Sequence, residues 1–236
     1  EPGSGSGIKT EMLLAALESP SAYIPIDISR DQLEAYAARL RVAHPRLRVT
    51  PICADFTADW CLPPGSEAPV LWFPGSTIGN FSRPQAVAFL RQLARQSGAG
   101  AELLIGVDLR KPRAVLEAAY NDAAGVTAQF NLNLLARLNR ELAADFDLDA
   151  FRHRAVWDDT VGAIRMLLVS QQAQTVTVAG EQFRLTAGET ICSEYSHKYS
   201  VDDFTTLAAK AGWALQRTYL DPQQWFAIFH CGAAPA

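Results

Sequence analysis

At 236 residues, 49% hydrophobic and 19% charged, the chain has enough apolar material for a sizeable core and too much for a fibre or a disordered tail. A net charge of -4, from 21 basic and 25 acidic residues, leaves no basic stripe able to neutralise a phosphate backbone, so a small molecule is the expected partner rather than nucleic acid. Cys53, Cys61, Cys192 and Cys231 have neither zinc nor disulfide spacing, and no apolar run reaches the roughly 18 residues of a membrane span; free thiols in a reducing cytoplasm are expected.

The chain opens on "EPGSGSGIKT", a glycine-rich loop, and then reads as a helix over 9–18 with Met12, Leu13, Leu14 and Leu17 on one side. "AYIPIDIS" is a short strand. "DQLEAYAARLRVAHP" spaces Leu33, Tyr36, Ala37 and Leu40 as one helix face and stops at Pro45. "LRVTPICADF" is a further strand, "PVLWFPGSTIGNF" a strand entering a polar loop, "RPQAVAFLRQLARQ" a helix closed by Ser97-Gly98, and "AELLIGVDL" a buried strand. This βα alternation predicts a parallel sheet covered by helices, an α/β doubly wound fold.

Beyond Lys111 the period changes. A helical region containing "NLNLLARLNRELAADF" precedes alternating stretches, "FRHRAVWD", "AIRMLLVS", "QTVTVAG" and "EQFRLTAGETICSEYS", which predict antiparallel strands. The chain then reads as a helix, Gly212, and two strands joined across Asp221-Pro222. We expect a core over 1–112, a helical and antiparallel region over 113–200, and a helix with a hairpin over 201–236 that completes the core.

The opening loop admits three readings. A phosphate loop, G-x-x-x-x-G-K-[ST], needs glycine where Ile8 stands, although Lys9-Thr10 fits; a dinucleotide fingerprint, G-x-G-x-x-G, fails at the same residue. The pattern E/D-x-G-x-G-x-G is met in full by Glu1, Gly3, Gly5 and Gly7, with glycines where the chain turns tightly and its backbone approaches a cofactor. Asp27, twenty residues beyond Gly7, ends the next strand where a carboxylate takes ribose hydroxyls; Asp55 and Phe56 end the third, where an acid accepts from an exocyclic amine and a ring packs on a base.

"GSGSGIKT", "PIDIS", "ADFT", "GSTIGNF", "YNDAAGVTAQFN", "FRHRAVWD" and "SEYSHKY" together resemble the histidine N-alpha-methyltransferases of ergothioneine biosynthesis, over nearly the whole chain. The resemblance implies a doubly wound, mostly parallel methyltransferase fold with an added antiparallel substrate region, and conversion of L-histidine to its trimethylated betaine with S-adenosyl-L-methionine as methyl donor. It implies that Gly3 and Lys9 contact the methionine half of the cofactor, Asp27 the ribose, and Asp55 with Phe56 the adenine. Asn80 and Tyr120 would hold the amino and carboxylate groups of the amino acid, and Glu194 with Ser196 its imidazole, residues two apart on a strand sharing one face. Met166 is open between pocket lining and strand core. His153 and His197 are not assigned as a base, no metal set is seen, and no single catalytic residue is named; catalysis is expected to be mostly positioning, by Asn80 and Tyr120.

Pro2 departs from the small aliphatic residue usual in such relatives. The fold also implies a strand directly before the glycine loop and an N-terminal segment over the substrate, both expected upstream of Glu1, with a monomer expected at full length. A same-fold enzyme for another small amine, and a cofactor-binding module without catalysis, are the alternatives.

Overall fold

A computed structural model describes residues 1–5, 7–66 and 68–234. In chain order its elements are α1 (Ile8–Ala16), β1 (Ala22–Tyr23), β2 (Ile26–Asp27), α2 (Arg30–Ala43), β3 (Arg48–Val49), β4 (Ile52–Cys53), β5 (Val70–Phe73), a 3-10 turn (Thr77–Asn80), α3 (Arg83–Ser97) and β6 (Glu102–Asp108). There follow α4 (Arg113–Tyr120), α5 (Val126–Leu142), β7 (Phe151–Asp158), β8 (Ala163–Ser170), β9 (Gln174–Val178), β10 (Glu181–Leu185), β11 (Thr190–His197), α6 (Val201–Lys210), β12 (Trp213–Leu220) and β13 (Phe226–Ala233). Two compact units result: Glu1–Ile78, Arg83–Asp108 and the segment from Ser200 onward form one, Gly79–Ser82 and Leu109–Tyr199 the other. Asn80 therefore belongs to the second unit. Among the described residues no helix is long and apolar enough to cross a membrane.

The first unit is α/β. Its four-stranded sheet runs β12-β13-β6-β5, with β5 and β6 parallel and β13 antiparallel to both β6 and β12; β1 pairs with β3 and β2 with β4, both parallel. Proline, which lacks an N–H, explains why two expected strands come in halves: Pro25 separates β1 from β2, and Pro51 separates β3 from β4. β6 lies between two neighbours, and its Leu103, Ile105 and Val107 are fully buried. Helix α3 turns Ala86, Phe89, Leu90 and Leu93 inward, the spacing of a single apolar stripe. The four residues expected on the inner face of α2, Leu33, Tyr36, Ala37 and Leu40, are all buried.

In the second unit β8 lies between β7 and β11, all antiparallel, and β9 pairs with β10. The run expected as one strand from Glu181 is two, β10 and β11, because Thr186–Glu189 forms a turn in which the Thr186 N–H donates to Glu189 Oε2 at 2.8 Å. Both helices cover the same face of the sheet. Leu116 of α4 packs with Ala155, Ile164 and Met166, while Leu135 of α5 packs with Phe151, Leu168 and Val176.

Candidate active site

Three successive glycines of the opening loop are left-handed, Gly3 at φ 67°, Gly5 at 51° and Gly7 at 75°, a backbone that costs other residues about 1–2 kcal/mol each. Space makes the same demand: a Cβ on Gly7 would lie 1.9 Å from Tyr36 Cζ, and one on Gly3 would lie 3.2 Å from Phe56 Cε1. The loop hangs on β2, where the Gly3 N–H donates to the Ile26 carbonyl at 2.7 Å and the Ile26 N–H to the Glu1 carbonyl at 2.9 Å. Pro2, buried and bridged to Ile26, is not asked for the N–H it lacks, because its neighbours supply the bonds. The Glu1 carboxylate accepts from the hydroxyls of Thr10 and Tyr23, which ties the loop to α1 and β1; burial holds this carboxyl above the usual carboxylate range, against those two donors.

Asp27 braces the loop. Its Oδ2 accepts from the Gly5 N–H at 3.1 Å and its Oδ1 from the Ser29 N–H at 3.0 Å. Asp55 is exposed and is oriented by Thr57, whose N–H and hydroxyl both donate to Oδ1, at 2.8 and 2.7 Å; these bonds hold its carboxyl below the usual range. The Phe56 ring packs edge-on against Phe73 and Phe89, with Gly3 over it. Lys9 reaches the loop after β5, its Nζ lying 3.8 Å from where a Cβ on Gly75 would stand. That loop is itself fixed: the Asp108 N–H donates to Ser76 Oγ at 2.8 Å, and Gly106 passes so close to Pro74 that a Cβ there would be 2.1 Å from the carbonyl oxygen.

The second unit holds a polar cluster of its own. Tyr120 ends α4, and its hydroxyl lies 2.8 Å from Ser196 Oγ. Lys198, 1% exposed, donates from Nζ to both oxygens, at 2.7 Å to Tyr120 and 2.9 Å to Ser196. Lys198 is not among the residues expected from the sequence, although it continues the alternation of Glu194 and Ser196 by one further step. Gly79 rests on the same strand end: a Cβ there would lie 2.9 Å from the His197 carbonyl oxygen and 3.6 Å from Ser196 Oγ, and Asn80, the next residue, is exposed.

Tyr120 is held from behind. Asn121 accepts from the Ala155 N–H and donates to the Ala155 carbonyl, at 2.8 and 2.9 Å, pinning the end of α4 to β7. Asp122 accepts from the N–H groups of Val126 and Thr127 and so caps α5; these bonds and the Thr127 hydroxyl depress its carboxyl to about 2. His153 lies 2.8 Å from the Tyr120 carbonyl through Nε2 and 2.9 Å from Asn131 Nδ2 through Nδ1. Asn131 Nδ2 is a donor, so the His153 hydrogen sits on Nε2 and points at Tyr120. His153 is thus a structural polar link.

Glu194 stands opposite Met166, and Ser196 opposite Ile164. Ser193 is the extra residue of a bulge between Cys192 and Glu194, its hydroxyl donating to Asn131 Oδ1 and to the Met166 carbonyl. Strict alternation from Ile191, which packs with Leu168 under α5, would send Glu194 and Ser196 to the far face. The bulge restores them to the face of Met166 and Tyr120. His197 falls on the opposite face, stacked at 6.1 Å on Tyr195. The Glu194 carboxylate takes no hydrogen bond from any described residue, and burial raises it above the usual glutamate range, Lys198 opposing.

A left-handed glycine loop at the head of an α/β unit, with acids closing the next two strands, is the arrangement of S-adenosylmethionine-dependent methyltransferases, and solved structures share the fold. One from Clostridium acetobutylicum superposes with a TM-score of 0.54 at 10% identity, over 99% of this chain and 82% of that one. The chain belongs to the histidine-specific, S-adenosylmethionine-dependent methyltransferases, whose family model matches residues 1–233. It is therefore an S-adenosylmethionine-dependent enzyme of histidine methylation. It is 38% identical over 97% of its length to a histidine N-alpha-methyltransferase of Mycolicibacterium smegmatis, spanning 73% of that protein. It is 28% identical, over 93% of its length, to ergothioneine biosynthesis protein 1 of Schizosaccharomyces pombe, spanning 30% of that protein.

Proposed function

We propose that this chain moves methyl groups from S-adenosyl-L-methionine to the α-amino nitrogen of L-histidine, three in succession, giving the trimethylated betaine that ergothioneine biosynthesis consumes. The observation that carries the site assignment is Glu194, a half-buried carboxylate without a hydrogen-bond donor of its own, two residues from a buried serine hydroxyl. An acceptor and a hydroxyl at that spacing match the two nitrogens of one imidazole.

The residues present fit the cofactor. The glycine backbone from Gly3 and the Lys9 ammonium take its methionine half, Asp27 the ribose hydroxyls, and Asp55 with Phe56 the adenine. Each carboxylate is held by N–H groups and keeps lone pairs for a ligand, while Tyr36 and Phe56 leave no room for side chains at Gly7 and Gly3, so the loop offers bare backbone. When bound, the cofactor supplies an electrophilic methyl group on a sulfonium.

Asn80 and Tyr120 take the amino acid's amine and carboxylate, and Glu194 and Ser196 its ring. Their task is orientation, since the amine lone pair has to lie in line with the bond that breaks; such positioning lowers a barrier by roughly 7–11 kcal/mol. The amine reacts only when neutral, and the neighbouring sulfonium charge favours that form. No side chain is assigned as base: His153 is committed to Tyr120 and Asn131, and His197 faces away. We place this work in the cytoplasm, in keeping with four free cysteines, and in a monomer.

Incubation with L-histidine and cofactor, followed by mass spectrometry, tests the assignment: three successive methyl additions are expected, and an unaltered amino acid would overturn it.

A further inference from the structure

Tyr120, Ser196 and Lys198 form a closed triangle with sides of 2.8, 2.7 and 2.9 Å, inside the second unit. Lysine has no acceptor, so both contacts from Nζ are donations, and each hydroxyl oxygen has one lone pair filled by Lys198. The remaining side needs one hydroxyl to donate to the other. A phenol is the more acidic and better donor, an aliphatic hydroxyl the better acceptor, so the Tyr120 O–H points at Ser196 Oγ. Ser196 Oγ then accepts twice, its acceptor capacity is full, and its own hydrogen is turned outward.

We propose that Lys198 is a positioning residue that makes Ser196 an obligate donor, so that the site selects the neutral imidazole of histidine and rejects the imidazolium. The proposal rests on the reading in which Glu194 and Ser196 hold the ring. Glu194 accepts from the single ring N–H, and Ser196 donates to the bare nitrogen. An imidazolium carries N–H on both nitrogens and would meet the Ser196 hydrogen head-on, although Glu194 alone would favour the cation. Lys198 therefore decides a choice that the carboxylate by itself would make the other way. The same count leaves Tyr120 with a lone pair and no hydrogen to offer, which suits it to the amine and leaves the carboxylate to Asn80.

The other titratable groups near this face are accounted for. Glu117 of α4 accepts from the Trp157 N–H and from Arg113, both at 2.9 Å, and His153 of β7 is bonded to the Tyr120 carbonyl and Asn131. From β8 the face receives Ile164, Met166, Leu168 and Ser170, none of them ionisable.

The test compares calorimetric binding of L-histidine and of β-(1,2,4-triazol-3-yl)-alanine, whose ring stays neutral, from pH 5 to pH 8 in the intact enzyme with cofactor. The triazole reports Glu194 protonation alone; L-histidine should lose an additional factor of about 10 per pH unit below the ordinary imidazole value of about 6.5. In Lys198→Met that additional loss should shrink to less than about threefold between pH 7 and pH 5, since Ser196 regains a lone pair; Lys198→Leu, likewise without a donor, serves if the methionine variant does not fold. Parallel profiles for the two ligands in the unaltered enzyme, or the full difference retained without Lys198, would overturn the proposal. Unchanged histidine binding in Glu194→Ala would instead overturn the site reading beneath it.

Discussion

Glu194 lies directly across from Met166 because Ser193, one residue before it, is bulged out of register. That single insertion decides which side of β11 meets the face covered by α4. The same face carries Tyr120, Ser196 and Lys198, joined by hydrogen bonds of 2.7 to 2.9 Å.

Glu194→Ala should weaken histidine binding roughly 5- to 150-fold, the equivalent of about 1–3 kcal/mol for a ring N–H left without its acceptor. Cofactor affinity should not change, as the cofactor residues are in the other unit. Titration calorimetry with each ligand separately checks both halves.

The raised Glu194 carboxyl has a consequence for the unliganded protein. A carboxyl raised by burial binds its proton more tightly folded than unfolded, so it favours folding most when protonated and progressively less as pH climbs through the raised value. Glu194→Gln should therefore have the higher melting temperature at pH 7, and the gain should vanish below the ordinary glutamate value of about 4.3. Thermal scans from pH 3 to pH 7 without histidine measure it; a lower melting temperature for the variant at pH 7 would contradict the burial argument.

Gly7→Ala combines a left-handed backbone, φ 75°, with a methyl group 1.9 Å from the Tyr36 ring. A loss of at least about 1–2 kcal/mol is expected from the backbone alone, with Tyr36 displaced in addition. Cofactor affinity should fall together with stability, as read by denaturant unfolding and cofactor titration.

Asn121→Ala removes the clamp between α4 and β7, at about 0.5–1.5 kcal/mol for each of its bonds to Ala155. Because Tyr120 is the preceding residue, KM for histidine should rise while the affinity for cofactor holds. Steady-state kinetics would refute this if KM stayed put.

Much of the molecule is legible in the sequence where the physics is local. The glycine pattern from Gly3 to Gly7, the buried stripe of α2 and the acids ending β2 and the strand before Phe56 follow from backbone sterics and periodicity, which neighbouring residues set for themselves. Proline hides a boundary: Pro25 and Pro51 interrupt what look like continuous strands. Asn121, Asn131 and Ser193 carry no signal, because each acts on β7, β8 or α5 through partners at least 22 residues away in sequence.

By itself the sequence determined the α/β class, the cofactor loop and the residue types able to meet an imidazole, since these depend on chain geometry and side-chain chemistry over a few positions. Only the tertiary structure decided that Glu194 and Ser196 share the face of Tyr120, and that Lys198 is buried against both hydroxyls. A bulge is a matter of register between two strands, and a buried ammonium is tolerated only where oxygens converge on it, here with Tyr120 brought in from a helix far away in sequence; neither is written in the neighbours along the chain.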